Sequence, residues 1–341
     1  MSFVPDLKPD DIDLKQPDRS INRDLGLLEY HRYVLEQARD ERTPLLERLR
    51  LLCISNAKLD KFFETRVARR KQAADLGAIQ TGTDKLTPRE ALRVISIKTH
   101  ELVQAQYRAI NEVLIPELAG ENIHIIRRGQ WNAAQDAWLR GYFKEALLPV
   151  LSPLSLGPAH PFPRILNKSL NFILTLKGMD AFGRRGGVAV VQAPRFLPRL
   201  IQLPPEVKGS GPHDFVFLSS IIHAYVDGLF HGLTVTGCYP FRVTRNSGRH
   251  IDEEEIDHLL RIKKGALTLW RHGAVVRLDV AHDCAEDAMR FLVNQFKVGH
   301  EELYRVNGPV NLNCLSAVCD AVDRPDLKVS PPIHQPFPQD S

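Results

Sequence analysis

The chain of 341 residues carries 45 Lys and Arg against 41 Asp and Glu, a formal charge of +4, with 43% hydrophobic and 25% charged residues. That composition excludes a collagen, a coiled-coil rod and a mainly disordered chain, and the length accommodates two domains. The basic excess is too small to argue for a nucleic-acid partner. It is also uneven: nine Lys and Arg face five Asp and Glu between residues 41 and 75, so any anion-binding bias belongs there or at particular strand ends.

Residues 1–20 are rich in Asp, Lys and Pro without a hydrophobic period, and read as a loose tail. Thr43-Pro44 reads as an N-cap followed by proline in the first turn. Behind it Leu45, Leu49, Leu52 and Cys53 recur at helical spacing, as do Leu59, Phe62, Phe63 and Val67, with Ser55-Asn56-Ala57 as a break between them. Thr87-Pro88-Arg89-Glu90 is a capping box. The helix it opens, carrying Leu92, Ile95, Leu102, Val103, Ile110 and Val113, is expected to stop near Pro116. Residues 21–120 therefore read as a small helical bundle.

One more amphipathic helix spans 131–148, and then the texture changes. Prolines cluster from Pro149 to Pro163, and strand-like runs follow at 169–176, 187–192, 200–203, 215–218, 234–243 and 275–280. Asp252 caps a further helix, with Glu255 as its box partner and Gly273 closing it. The expected fold class is α+β: an N-terminal helical bundle, then an α+β domain with a mixed, mostly antiparallel sheet. The proline-rich stretch from Asp320 to Ser341 reads as a linker-like tail.

Most catalytic signatures are absent. There is no phosphate-cradling P-loop, no dinucleotide fingerprint, no nucleophile elbow and no paired Cys/His zinc spacing; Gly183-Arg184-Arg185-Gly186-Gly187 reads as a hairpin loop. His223 and His231 could share a helix face, although scattered surface or core histidines explain them as well. The acidic quartet from Asp252 to Glu255 fits a helix N-terminus. The five cysteines, Cys53, Cys238, Cys284, Cys314 and Cys319, stand mostly among apolar neighbours without paired spacing. They suit a reducing cytoplasm, and no stretch is apolar enough to span a membrane.

Two constellations carry chemistry. Ser55, Asn56, Lys58 and Lys61 lie beside Phe62 and Phe63, with Arg66, Arg69, Arg70 and Lys71 following. Such a place suits an anionic or aromatic ligand, or else a bundle turn with both phenylalanines inside and its charges in water. In Phe241-Arg242-Val243-Thr244-Arg245-Asn246, alternation puts Arg242 and Thr244 on one face. The guanidinium groups of Arg242 and Arg245 would then meet at a strand end, able to fork onto phosphate or to pair with acids downstream.

At these residues the chain resembles a known family. Asn22-Arg23-Asp24-Leu25, Pro44-Leu45-Leu46-Glu47-Arg48-Leu49-Arg50 and Leu59-Asp60-Lys61-Phe62-Phe63 resemble the N-terminal domain of bacterial polyphosphate kinase of the phosphohistidine type. His160-Pro161-Phe162-Pro163, Asn167-Lys168-Ser169-Leu170-Asn171, Ala193-Pro194-Arg195, the Phe241–Asn246 run, Tyr304-Arg305-Val306-Asn307-Gly308-Pro309 and Arg324-Pro325-Asp326-Leu327-Lys328 resemble its head domain.

The resemblance implies a helical N-terminal domain over 21–123, a head domain over 124–325 and a linker-like segment over 326–341. It implies a family activity, transfer of phosphate from ATP to polyphosphate with magnesium, whose phosphohistidine, magnesium-site arginines and most nucleotide contacts belong to two further C-terminal domains. The chain is thus expected to be truncated before its catalytic half and inactive alone. The alternatives are a non-catalytic polyphosphate-binding or dimerisation module acting with an intact kinase, or a drifting copy. The family's head domain implies a homo-oligomer, or a hetero-oligomer with an intact kinase, and candidate polyphosphate contacts at Arg195, Arg242 and Arg245. Lys58 stands where the family has an ATP-contacting asparagine, and Leu51 where a phenylalanine flanks adenine. His31 and Tyr33 replace a further asparagine and arginine. An ammonium donates only, whereas an amide donates and accepts, so adenine readout is doubtful while a phosphate contact by Lys58 stays open.

Overall fold

A computed structural model describes residues 22–78, 86–156, 162–179, 186–207, 209–247 and 273–329. The expected N-terminal tail, the Asp252 helix and most of the C-terminal tail lie outside these residues.

Helix α1 (Arg23–Arg39) starts at Asn22, whose side chain accepts from the Asp24 and Leu25 amides. Helix α2 (Leu45–Phe62) starts one residue later than expected: Pro44, not Thr43, is its N-cap, and no side chain caps it. No break occurs at Ser55-Asn56-Ala57. The rod instead widens into a π turn at Phe63–Val67 and continues as α3 (Ala68–Asp75). The Thr87–Glu90 capping box forms as expected and opens α4 (Pro88–Arg108). Pro116 does not stop this rod. A π segment (Ala109–Leu114) precedes it, and α5 (Ile115–Gly120) carries the proline in its first turn. Proline lacks an N–H and crowds the carbonyl one turn back, and widening the helix just before it is one way to absorb both defects.

Strand β1 (His124–Ile125) pairs with β6 (Asp214–Phe217), which also pairs with β5 (Leu200–Gln202), making a three-stranded sheet. Helix α6 (Ala133–Tyr142), with a π turn after it, and α7 (Leu218–Tyr225) pack nearby. His223 lies on α7 and His231 beyond its end, so the two do not share a helix face.

A six-stranded sheet runs in the order β2 (Ser152–Leu156), β4 (Val188–Gln192), β3 (Asn171–Gly178), β7 (Leu233–Arg245), β8 (Val275–Ala281) and β9 (Leu303–Val306). All its pairs are antiparallel except β8 with β9. The expected mixed, mostly antiparallel sheet is therefore present. β3 and β4 are antiparallel neighbours, as a hairpin requires, although residues 180–185 between them lie outside the described set.

Alternation sorts the side chains of the sheet. Phe172, Leu174 and Leu176 join Ala189 and Val191 under α6 and α7, while Ile173, Phe241, Val243, Leu278 and Val280 form a second core with helix α8 (Glu286–Phe296). The third core belongs to the helical region, yet it includes Tyr304, Leu312, Leu315, Val318, Cys319 and Val322. The chain returns to α2 at its far end. Helix α9 (Ser316–Ala321) and a 3₁₀ turn (Pro325–Leu327) stand where a linker was expected to begin. Arg324 there pairs with Glu121 at 2.8 Å.

Candidate functional site

The residues singled out by motif converge where the helical region meets the six-stranded sheet. The π turn after α2 is the first positioning device, because a widened turn re-aims its side chains and carbonyls. The Glu64 carbonyl accepts from the Ser247 amide at the end of β7. The Glu64 carboxylate accepts from Asn167 at 2.7 Å and pairs with Lys168 at 2.9 Å. Asn167 in turn accepts from the Arg245 amide at 2.9 Å. One amide side chain thereby ties the helical rod, the loop before β3 and the end of β7 together.

Beneath this knot lies a buried ionic lattice. Arg242 is 1% exposed. Its guanidinium donates to Asp60 on α2 at 2.8 Å and to Asp279 on β8 at 2.9 and 3.1 Å. Arg277 donates to the other Asp279 oxygen at 2.8 Å. It is held between rings, 5.1 Å from the Phe63 centroid and 4.5 Å from that of Tyr304. Two arginines meet two aspartates, so the lattice is formally neutral. Burial works against the Arg242 charge, but Asp60 and Asp279 outweigh it and hold the group charged. Arg242 is therefore reassigned: every guanidinium nitrogen is committed to a carboxylate, and it joins the two parts of the chain rather than meeting an external polyanion.

Tyr304 stacks on His100 with centroids 4.0 Å apart and shares a 2.7 Å hydrogen bond with Thr99. The Asn307 carbonyl accepts from Asn111 at 2.8 Å, and Asn56 donates to Asn311 at 3.2 Å. The Pro309 carbonyl accepts from the Tyr107 hydroxyl at 2.5 Å, so the Tyr304–Pro309 run and Asn311 beyond it are tied to the helices.

Arg245 and Arg195 have other surroundings. An extra residue, Val276, on β8 breaks the register between Thr244 and Arg245, and the bulge lets Arg245 leave the buried face. Arg245 is half-buried and donates to the Ile165 and Gly273 carbonyls at 3.1 and 2.8 Å. Burial and the neighbouring Arg164 lower its pKa. Arg195 is exposed and donates to the Asn167 carbonyl at 2.6 Å. With Arg164 and Lys168 also exposed, one basic face surrounds Asn167.

The nucleotide candidates lie elsewhere. Lys58 is exposed on α2, and Leu51 is half-buried against the helical core. Phe62 and Phe63 are inside that core, which agrees with the bundle-turn reading and offers no stacking face to solvent. His31 is buried, its ring edge-on to Phe62 at 6.1 Å. Burial, reinforced by Lys58, lowers its pKa to about 4.

Comparison with known proteins agrees with this geometry. A family model described as the polyphosphate kinase N-terminal domain matches residues 20–126, and one described as the polyphosphate kinase middle domain matches residues 134–318. The chain belongs to the polyphosphate kinase family. It is 47% identical to the polyphosphate kinase of Pseudomonas aeruginosa over 311 residues, 91% of this chain and 45% of that protein. Against the polyphosphate kinase of Neisseria meningitidis it is 48% identical over 323 residues, 95% of this chain and 47% of that protein. The crystal structure of polyphosphate kinase from Porphyromonas gingivalis shares the fold, with a TM-score of 0.72 at 22% identity over 92% of this chain and 43% of that one. The chain spans less than half the length of these relatives.

Within the polyphosphate kinase frame, the motif residues Asp60, Asn167 and Arg242 turn out to join domains. Asp279 and Arg277 were not singled out from the sequence. Their signal was present nonetheless: Arg277 and Asp279 alternate with Val276, Leu278 and Val280 in an otherwise apolar strand, and charge at that spacing inside a buried strand demands partners.

Proposed function

We propose that this chain forms the N-terminal and head portion of an ATP:polyphosphate phosphotransferase, binding polyphosphate on the basic face around Asn167 and acting with catalytic domains outside its 341 residues. The observation that carries this reading is the convergence of family motifs on one interface. Asp60 from the helical region and Arg242 from the head neutralise each other, while Arg164, Lys168, Arg195 and Arg245 gather at its margin. A chain of phosphates suits several guanidinium forks held by backbone carbonyls, since each is pre-aimed.

On this reading Arg195 and Arg245 are the polyphosphate contacts. Lys58 meets a phosphate group of ATP rather than its base, and Leu51 offers the adenine only an aliphatic contact. Magnesium would come with the nucleotide and the catalytic domains. The chain works in the cytoplasm, as a dimer through its head or paired with an intact kinase.

Polyphosphate binding is tested by titrating the purified chain at several salt concentrations. Binding should weaken steeply with salt, because each neutralised phosphate releases counterions. Replacing Arg195 and Arg245 by Gln should weaken it and flatten the salt slope. Binding indifferent to salt and to both changes rules the reading out. Polymer synthesis from ATP should need an added catalytic portion. Synthesis by the 341-residue chain alone would overturn that division of labour.

A second reading, a non-catalytic module that pairs with an intact kinase, is favoured by the replacement of amides at Lys58 and His31. It predicts co-purification with a full-length kinase through the head, without a gain in ATP turnover.

A further inference from the structure

A cavity of about 320 Å³ lies where the π segment after α4 faces the head. Its lining is largely apolar, with Ile110, Ile115, Ile125 and Phe217 among it, but Arg127 and Asp283 line it too. A second chamber of about 30 Å³ shares Phe217, Ser219 and Pro309 with it as a common wall. Three cationic residues, Lys168, Arg199 and Arg242, line that chamber.

Two of the three are compensated. Lys168 pairs with Glu64, and Arg242 with Asp60 and Asp279. Arg199 is not. Among the described residues it has no carboxylate partner; its Nη2 makes one long bond, 3.4 Å, to the Ala193 carbonyl, and its Nη1 is buried with no partner. Burial and the nearby Arg195 charge both push its pKa down. A buried guanidinium nitrogen without an acceptor carries an unrecovered desolvation cost, and an anion would remove it.

The backbone adds to this. The Arg199 carbonyl accepts from the Leu218 amide, which sets Arg199 against the start of α7. Helix α7 begins without a side-chain cap, and Ser219 and Ser220 of its first turn line the large cavity. Ser219 of that uncapped first turn and Arg199 thus line the small chamber together.

We propose that this paired cavity binds a small monophosphate ester with an apolar or aromatic body. The phosphoryl group sits at the Phe217–Ser219 wall with an oxygen turned to Arg199, and the body lies on the apolar part of the lining. An uninterrupted polyphosphate chain is a poor occupant, because every unit is charged and the apolar lining would strip its hydration without return. The cavity's volume matches that of ordinary small-molecule sites, which are mostly apolar with a few convergent polar groups. Arg245 of the outer basic face lines neither chamber, whereas Lys168 lines the smaller one.

The test uses the full chain and four probes: adenosine monophosphate, glucose 6-phosphate, orthophosphate and tripolyphosphate, each titrated by calorimetry. Adenosine monophosphate should bind at least tenfold more tightly than the other three. Arg199→Gln should weaken it at least tenfold, while Arg42→Gln, an exposed change that lines neither chamber, should leave it unchanged. Should Arg199→Gln fold poorly, Ser219→Leu, which fills the shared wall, should give the same loss. No saturable binding of adenosine monophosphate overturns the proposal. So does tripolyphosphate or orthophosphate binding as tightly, or ester affinity indifferent to both Arg199→Gln and Ser219→Leu. Loss of polyphosphate binding in Arg245→Gln with ester binding intact separates this site from the outer face.

Discussion

Arg242 and His31 show how burial decides what a polar side chain does. Arg242 could be read from the strand pattern as a phosphate fork because alternation names two faces without saying which is covered; here the sheet is covered on both. Removing it leaves Asp60 and Asp279 buried with too few donors. Arg242→Met should lower unfolding free energy by roughly 3–5 kcal/mol, the usual cost of stranding a buried charge, as read by urea titration. A loss under about 1 kcal/mol would mean that water reaches the lattice. His31 makes the complementary case. Its folded pKa of about 4 lies below the ordinary 6.5. The folded state therefore resists a proton that the unfolded state accepts. Stability is full above pH 6.5 and falls as pH drops toward 4, by up to roughly 3 kcal/mol. His31→Asn should flatten urea midpoints measured between pH 7 and pH 4.5. Parallel curves for the two proteins would show the imidazole to be solvated.

Elements whose signals are local were legible in advance. The Thr87–Glu90 box needs only four consecutive residues, and its hydrogen bonds form as the spacing requires, 3.3 Å to Thr87 Oγ1 and 2.8 Å back to Glu90. Thr87→Ala should cost about 1 kcal/mol, measured as a shift in thermal midpoint; no shift would mean that α4 is held by packing alone. The six strand-like runs were legible for the same reason, since β-branched alternation is written in the run itself. The π turns were not. Phe63–Val67 widens where Glu64 serves both Ser247 and Asn167, and residues more than a hundred positions away leave no trace in the local period. Edge strands β1, β2 and β9 escaped notice too: β1 has two residues, and β2 is interrupted by Pro153.

At the scale of the whole molecule, the family and its two parts could be read from motifs, but not how the parts interlock. The helical core is completed by Tyr304, Leu312, Leu315, Val318, Cys319 and Val322. A fragment of residues 20–126 therefore lacks part of its own interior. It should show helical far-ultraviolet circular dichroism without a cooperative thermal transition, and adding a peptide spanning 304–322 should restore one. Cooperative melting of the fragment alone would show that the far segment only decorates a finished bundle.

That late closure also sets a timetable for biosynthesis. The first helices leave the ribosome roughly 250 codons or more before the residues that seal them. At roughly 5–20 residues per second, the nascent bundle must wait for tens of seconds with its apolar seam open. Chaperone dependence during translation should accordingly concentrate on the earliest part of the polypeptide and end only when the segment carrying Val318 and Val322 has emerged.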